Sequence, residues 1–93
     1  QLQVSVDSQN VQLVFANDYR IYNAMEGVAV DLSFNMLTPN PQNQNQPQLH
    51  IKVTHRLAMS FVTTKRLAMS LSQFIKRIEQ QYGEIPINPG QKK

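Results

Sequence analysis

The fold of this chain is decided by residues 60–83, which read SFVTTKRLAMSLSQFIKRIEQQYG. Six large apolar residues recur there every three or four positions, as is typical of one apolar stripe along an α-helix. They are Leu67, Leu71, Phe74, Ile75, Ile78 and Tyr82. Ser60 stands where an N-cap hydroxyl belongs, and Gly83 stands where a residue of positive φ ends a helix. The pattern therefore predicts a helix of about 22 residues between them.

The residues before this helix alternate between apolar and polar, which predicts β-strands. The clearest alternation runs through Val28, Val30, Leu32, Phe34 and Met36, and another through Leu49, Ile51, Val53 and Leu57. Two earlier alternations contain Leu2, Val4 and Val6, and then Val11, Leu13, Phe15, Tyr19 and Ile21. They predict further strands, with a bulge or break near residues 16–18. The bulky apolar side chains are expected to form the core, and Asp31 and Ser33 to face away from it.

These elements predict an α+β fold: a small antiparallel sheet of three to four strands packed by one long C-terminal helix, in the order β-β-β-α. We expect residues 1–87 to form a single domain and residues 88–93 a flexible basic tail. Residues 39–47 contain three prolines, with Asn or Gln at all other positions, and predict a polar hairpin loop. The missing initiator methionine suggests that a native N-terminal piece precedes Gln1.

Composition excludes several classes of protein. The chain has 93 residues and no cysteine, so it has neither a disulfide framework nor a thiolate metal site. No apolar run approaches the length of a membrane span, and no signal peptide is visible. These observations predict a cytoplasmic protein with no membrane partner. The formal net charge of +3 falls to +1 once Lys92 and Lys93 are set aside, so basicity alone is a weak indication of a nucleic-acid partner.

The chemistry-bearing residues form no catalytic constellation. The six carboxylates are scattered, and no phosphate loop, nucleophile elbow or zinc-binding helix motif occurs. His50 and His55 have opposite parity on one predicted strand and cannot chelate one metal by themselves. The sequence therefore predicts a non-enzymatic protein without metal or cofactor; an enzyme that uses Asp31 and a histidine would need a pocket that joins them. The preferred interpretation of Asp31 is a cross-strand ion pair with Arg56 or Lys52.

Basic residues recur on one flank of the predicted helix. Lys65 and Arg66 are repeated eleven residues later by Lys76 and Arg77, which returns to nearly the same helix azimuth. Together with Arg20, Lys52 and Arg56 of the predicted sheet, they are the candidate residues for binding phosphate or an acidic partner. A solvated helix face is the alternative. On the polar face of the predicted sheet, Tyr22 is the one aromatic residue. That face therefore offers little surface on which nucleobases could stack.

One ungapped pattern in the second half of the chain consists of Arg56, Ser60, Thr64-Lys65-Arg66-Leu67, Leu71, Ile75, Glu79, Tyr82, Gly83 and Ile85. It resembles the pattern of short bacterial proteins of domain-of-unknown-function family 3467. The resemblance runs from Phe15 to Ile85 and is closest from Arg56 to Ile85. Upstream, Phe15-Ala16-Asn17 is similar to the family's Tyr-Ala-Asn, and Val30-Asp31-Leu32 to its apolar-Asp-aromatic strand. The chain departs from the pattern at Gly27-Val28, where Glu-Phe is usual, and at Phe61, where Pro is usual. The resemblance implies three strands and a helix in a bacterial protein, and no catalytic residue.

Two functions remain open from the sequence. The first is a non-enzymatic, self-associating module, a dimer or higher, that serves as an adaptor or assembly protein for an unknown protein partner. Its basis is the amphipathic helix, the open sheet edges and the four methionines. The alternative is weak, largely sequence-independent nucleic-acid binding through the basic helix flank and the polar sheet face.

Overall fold

The computed structural model describes residues 1–87. It contains the strands β1 (Asp18–Ala24), β2 (Gly27–Thr38) and β3 (Gln48–Met59), followed by the helix α1 (Phe61–Tyr82). The strands form one antiparallel sheet in the order β1-β2-β3, so β2 is central. The predicted α+β class and the order β-β-β-α are confirmed. The predicted basic tail, residues 88–93, lies outside the described residues.

The two strand connections follow their turn chemistry. Met25 and Glu26 form a tight turn between β1 and β2. The loop of residues 39–47 contains two successive turns, in which the Asn43 and Gln46 N–H groups donate to the carbonyls of Asn40 and Asn43 over 3.3 and 3.2 Å. The side chains of Asn40 and Asn43 also accept backbone N–H groups two residues ahead, as asparagine commonly does in turns. The expected hairpin loop is therefore present.

Helix α1 begins and ends where the sequence predicted. The Ser60 hydroxyl accepts the backbone N–H of Thr63 at 3.1 Å, which satisfies one of the free donors of the first turn. At the other end the Gly83 N–H donates to the Glu79 carbonyl at 2.8 Å, and Gly83 has φ 93°. This positive φ is strained for any residue with a Cβ, so glycine stops the helix at low cost.

Glycine is also required at the start of β2. A Cβ built on Gly27 would overlap the carbonyl oxygen of Met59, and it would lie 3.2 Å from the Cα of Ser60. The backbone that leads from β3 into α1 therefore passes directly against Gly27. A residue with a side chain at this position would therefore force the backbone around Met59 and Ser60 to move.

The first predicted N-terminal strand does not form, and the second forms only in its last part. Residues 1–17 contain no strand, and β1 begins at Asp18, so that Tyr19 and Ile21 of the second alternation lie in it. The alternation of apolar residues is nevertheless present, and its side chains point into solvent: Leu2 is 96% exposed and Leu13 fully exposed. A period of two indicates that one face of a segment is to be buried, but it does not supply the neighbouring strand that pairs with the segment.

The buried face of β2 is opposite to the one predicted. Gly27, Ala29, Asp31 and Ser33 are buried, whereas Phe34 and Met36 are exposed. The prediction that the bulky row forms the core is therefore wrong for the single chain. The reason is size: a short side chain is covered by its neighbours in the sheet, while a bulky one projects beyond them and needs a facing layer.

The chain comprises two compact units. One consists of Gln1–Ile21 and Val30–Leu57 and holds most of the sheet; the other consists of Tyr22–Ala29 and the chain from Ala58 onward, including α1. No residue of α1 is buried, and Phe74 is 54% exposed. The expected burial of its apolar stripe is therefore not found in the single chain. The stripe is about 22 Å long and needs a facing surface to be buried.

Candidate functional site

An ion pair between a buried carboxylate and an exposed guanidinium joins β2 to β3. Asp31 is 2% exposed and accepts two hydrogen bonds from Arg56, at 2.7 Å from Nε and 3.1 Å from Nη2. This two-pronged geometry fixes the guanidinium against the carboxylate more firmly than a single contact does. The side chain of Arg56 is 65% exposed, so solvent reaches one partner but not the other. The ion pair predicted for Asp31 is confirmed, with Arg56 as its partner.

A second polar network lies at the point where β1 begins. The side-chain amide of Asn17 donates to the Asn35 carbonyl at 3.1 Å and accepts the Asn35 N–H at 2.7 Å. It thus satisfies both backbone groups of one β2 residue, as a neighbouring strand would. The Asn35 amide in turn donates to Asp18 at 2.7 Å and accepts from the Ser33 hydroxyl at 3.1 Å. The backbone N–H of Asn17 also donates to the Ser33 carbonyl at 3.1 Å, and β1 begins at the next residue.

Asp31 lines a small cavity of about 270 Å³. The other residues around it are Asp18, Tyr19, Arg20, Ser33, Ile51 and Val53. Both carboxylates of this cavity bind residues outside its lining, since Asp31 binds Arg56 and Asp18 binds Asn35. These bonds connect neighbouring parts of the sheet unit.

The seven candidate basic residues are all exposed and divide between the two units. Arg20, Lys52 and Arg56 belong to the sheet unit, where Arg20 lines the cavity and Arg56 is bound to Asp31. Lys65, Arg66, Lys76 and Arg77 belong to the helix unit. The Arg77 guanidinium lies 5.3 Å from the centre of the Phe74 ring, a favourable cation–π distance. Because Glu79 is its one carboxylate, α1 carries a net charge of +3.

The histidines are separated from Asp31 and from each other. The cavity that Asp31 lines contains no histidine, while His55 lines another cavity with Leu32 and Leu57. The Nδ1 atom of His55 is buried without a hydrogen-bond partner. Among the described residues, no three of His, Cys, Asp and Glu lie close enough together to hold a metal ion. Nor does any helix of residues 1–87 combine the length and the apolar character needed to cross a bilayer.

The apolar surface of the chain is far more extensive than its polar cluster. On α1, the exposed large residues include Leu67, Leu71, Phe74 and Ile75. In the sheet unit they include Tyr19 and Ile21 of β1 and Leu49, Ile51 and Val53 of β3. Phe15 contacts Phe34 edge-to-face, with ring centres 6.4 Å apart, yet both rings stay exposed. Contiguous apolar surfaces of this kind usually mark protein interfaces.

Sequence reasoning found the ion pair and the exposed cations but missed the Asn17–Asn35 network. In the sequence, the one indication of this network is the Phe15-Ala16-Asn17 triplet, in which an asparagine interrupts the apolar alternation. Asparagine is depleted within strands, so its position predicts a strand end better than a bulge.

Comparison with known proteins identifies one relationship. The model of the family described as protein of unknown function (DUF3467) matches residues 1–87, which is the whole described part of the chain. No curated protein and no solved structure matches the chain. The match includes the Asn17 strand end, the Asp31–Arg56 pair and the capped helix α1. The chain therefore belongs to the DUF3467 family.

Proposed function

We propose that this protein is a non-enzymatic, self-associating module that acts as an adaptor or assembly protein. The observation that carries the proposal is the exposure of large apolar side chains in each unit. Leu71 and Phe74 of α1 are each 54% exposed, and Leu49 of β3 is 55% exposed. Exposed apolar surface of this kind usually marks a protein interface.

The composition of the buried core supports the same proposal. Among the described residues, Ala29 is the one buried apolar side chain. Fixing a residue costs about 1–2 kcal/mol of backbone entropy, which is offset mainly by apolar burial. Isolated helices of moderate length are marginal in water, and α1 buries none of its residues within the single chain. An interface that covers its stripe would supply the missing burial.

A second copy of the chain is the partner that these surfaces favour. Most soluble oligomers are symmetric assemblies of one chain, in which the same surface is used twice. Charge is complementary as well. Helix α1 carries a net charge of +3, whereas the remainder of residues 1–87 has three basic and five acidic residues. The helix of one copy is thus attracted to the remainder of another.

A matched pair of helix variants tests the proposal. Leu71→Asp places a charge in the apolar stripe, while Gln73→Asp places the same charge on the opposite side of α1. Light scattering during size exclusion at tens of micromolar should give an oligomer for the wild type and Gln73→Asp. Leu71→Asp should be monomeric or unfolded, since an interface cannot bury an unpaired carboxylate cheaply. A monomeric wild type, or equal behaviour of both variants, would refute it.

The alternative function, weak and sequence-independent nucleic-acid binding, is favoured by the charge of α1. Lys65, Arg66, Lys76 and Arg77 are exposed, and Arg77 lies beside the Phe74 ring. Exposed cations next to an aromatic ring suit a phosphate backbone with stacked bases. Titration with a labelled single strand at two salt concentrations tests this, because phosphate contacts weaken steeply with salt. Replacing Lys65 and Lys76 by Glu should abolish such binding, and absence of binding at low salt would exclude it.

A further inference from the structure

The N-terminal segment, residues 1–7, has the sequence of a strand but no strand partner. Its Leu2, Val4 and Val6 alternate with polar residues and are 85–96% exposed. A turn follows directly, in which the Gln9 N–H donates to the Asp7 carboxylate at 3.0 Å and the Val11 N–H to the Ser8 carbonyl at 3.4 Å. An extended segment with one apolar face and free backbone groups is suited to extending the edge of a sheet.

The sheet offers an edge of matching character at β3. This strand has 12 residues without Gly or Pro, and within residues 1–87 it pairs with β2 alone. Its Leu49, Ile51 and Val53 form an apolar row that is about half exposed. A long, apolar edge strand that stays unpaired is an aggregation hazard, which proteins normally cover or pair.

The opposite edge, β1, is less available. It has seven residues, and the Tyr19 N–H already donates to the Asp18 carboxylate at 2.8 Å. The outer edge of β3 is therefore the better acceptor for an added strand.

We infer that residues 1–7 of one copy add as a fourth strand to the outer edge of β3 in a second copy. This inference rests on the proposed self-association and assigns a structural element to it. In the single chain both partners are left unpaired, with the turn at residues 8–10 formed. Reciprocal exchange pairs two edges at once and places Leu2, Val4 and Val6 beside Leu49, Ile51 and Val53, where β-branched side chains pack well across strands.

Neighbouring proline variants test strand addition. Consecutive residues of a strand direct their N–H groups to opposite edges, and proline removes the N–H group. Val4→Pro and Ser5→Pro should therefore differ: one should weaken the dimer at least about tenfold, and the other at most about twofold. Both leave the fold intact, because residues 1–5 belong to no strand of the single chain. The dimer dissociation constant is measured by sedimentation of the full chain.

Cysteine pairs identify the edge. The chain contains no cysteine, so every introduced thiol is unique. When Val4→Cys is mixed with Leu49→Cys, Ile51→Cys or Val53→Cys under mild oxidation, at least one pair should give a mixed disulfide dimer. A wild-type dimer that tolerates both prolines, or that loses affinity equally with both, overturns the inference and leaves self-association intact. A monomeric wild type overturns both.

Discussion

At the scale of single residues, the sheet is ordered by polar contacts more than by apolar packing. Asp31 is buried in the central strand, where a carboxylate is tolerated only with strong hydrogen bonds. Arg56 supplies two of them from β3. This pair joins β2 to β3 with a defined geometry, so it fixes the register of the two strands. It also balances the charge of the buried carboxylate.

The Arg56 contact predicts a graded loss of stability. Arg56→Lys keeps the charge but cannot form two parallel bonds, so it should lower the free energy of unfolding by about 1 kcal/mol. Arg56→Ala removes both bonds to a buried carboxylate and should cost about 2–3 kcal/mol. Urea denaturation measures both, with Lys52→Ala on the same strand as the control that changes little. If Arg56→Ala and Lys52→Ala are equally stable, the pair contributes nothing.

The amide of Asn17 predicts a distinction between two substitutions. Asn17→Ala removes two hydrogen bonds to the Asn35 backbone and should destabilise the fold by about 1–2 kcal/mol. Asn17→Asp keeps an acceptor for the Asn35 N–H but sets a carboxylate oxygen against the Asn35 carbonyl. It should therefore rescue at most part of the loss. Amide exchange at Asn35 reports the result directly, and unchanged protection in Asn17→Ala would contradict this role.

At the scale of elements, a repeated pentapeptide shows whether secondary structure is determined by the residues themselves or by their surroundings. Arg-Leu-Ala-Met-Ser occurs at residues 56–60, at the end of β3, and at residues 66–70, within α1. The first four residues of the repeat thus adopt a strand in one copy and a helix in the other. The helix propensities of these residues lie within about 1 kcal/mol of one another, so none of them forces a strand or a helix. The neighbouring sequence therefore decides which structure each copy adopts.

The same repeat supplies a matched test of the N-cap. Ser60→Ala removes the hydroxyl that accepts the Thr63 N–H and should cost about 1 kcal/mol. Ser70→Ala changes the same residue type inside the exposed helix and should be neutral or slightly stabilising, since alanine has the higher helix propensity. Thermal melting followed by circular dichroism compares the two. Equal melting temperatures would show that Ser60 is not a functional cap.

Elements defined by short-range signals were predictable, and elements defined by pairing were not. Helix α1 was found end to end because its period, Ser60 and Gly83 all lie within the same stretch of chain. Residues 1–17 carry the alternation of a strand without forming one, because Leu2 and Leu13 indicate a face to be buried but not a partner. The buried face of β2 was assigned wrongly because bulky Phe34 and Met36 outweighed the small residues between them.

The part of the candidate site that is formed by opposite charges was predictable from the sequence. Asp31 and Arg56 are residues whose pairing across neighbouring strands follows from charge alone. The Asn17–Asn35 network was not predictable in the same way, since an amide binds either backbone groups or other amides. Its partner depends on the three-dimensional end of β1, which no local pattern records.

At the scale of the whole molecule, folding and association are expected to be one process. The single chain buries one apolar side chain among its described residues and exposes its helix stripe along the full length. A protein stabilised by association gains stability with concentration, because mass action favours the assembled state. Its melting temperature should therefore rise by several degrees across a hundredfold increase in protein concentration. A constant melting temperature would indicate a fold that is stable by itself.

The most direct test of self-association is sedimentation equilibrium of the wild-type chain between about 1 and 100 micromolar. The predicted result is a mass of at least twice 10.7 kDa throughout the upper part of this range. A mass of 10.7 kDa at every concentration, with a cooperative unfolding transition, would contradict the account.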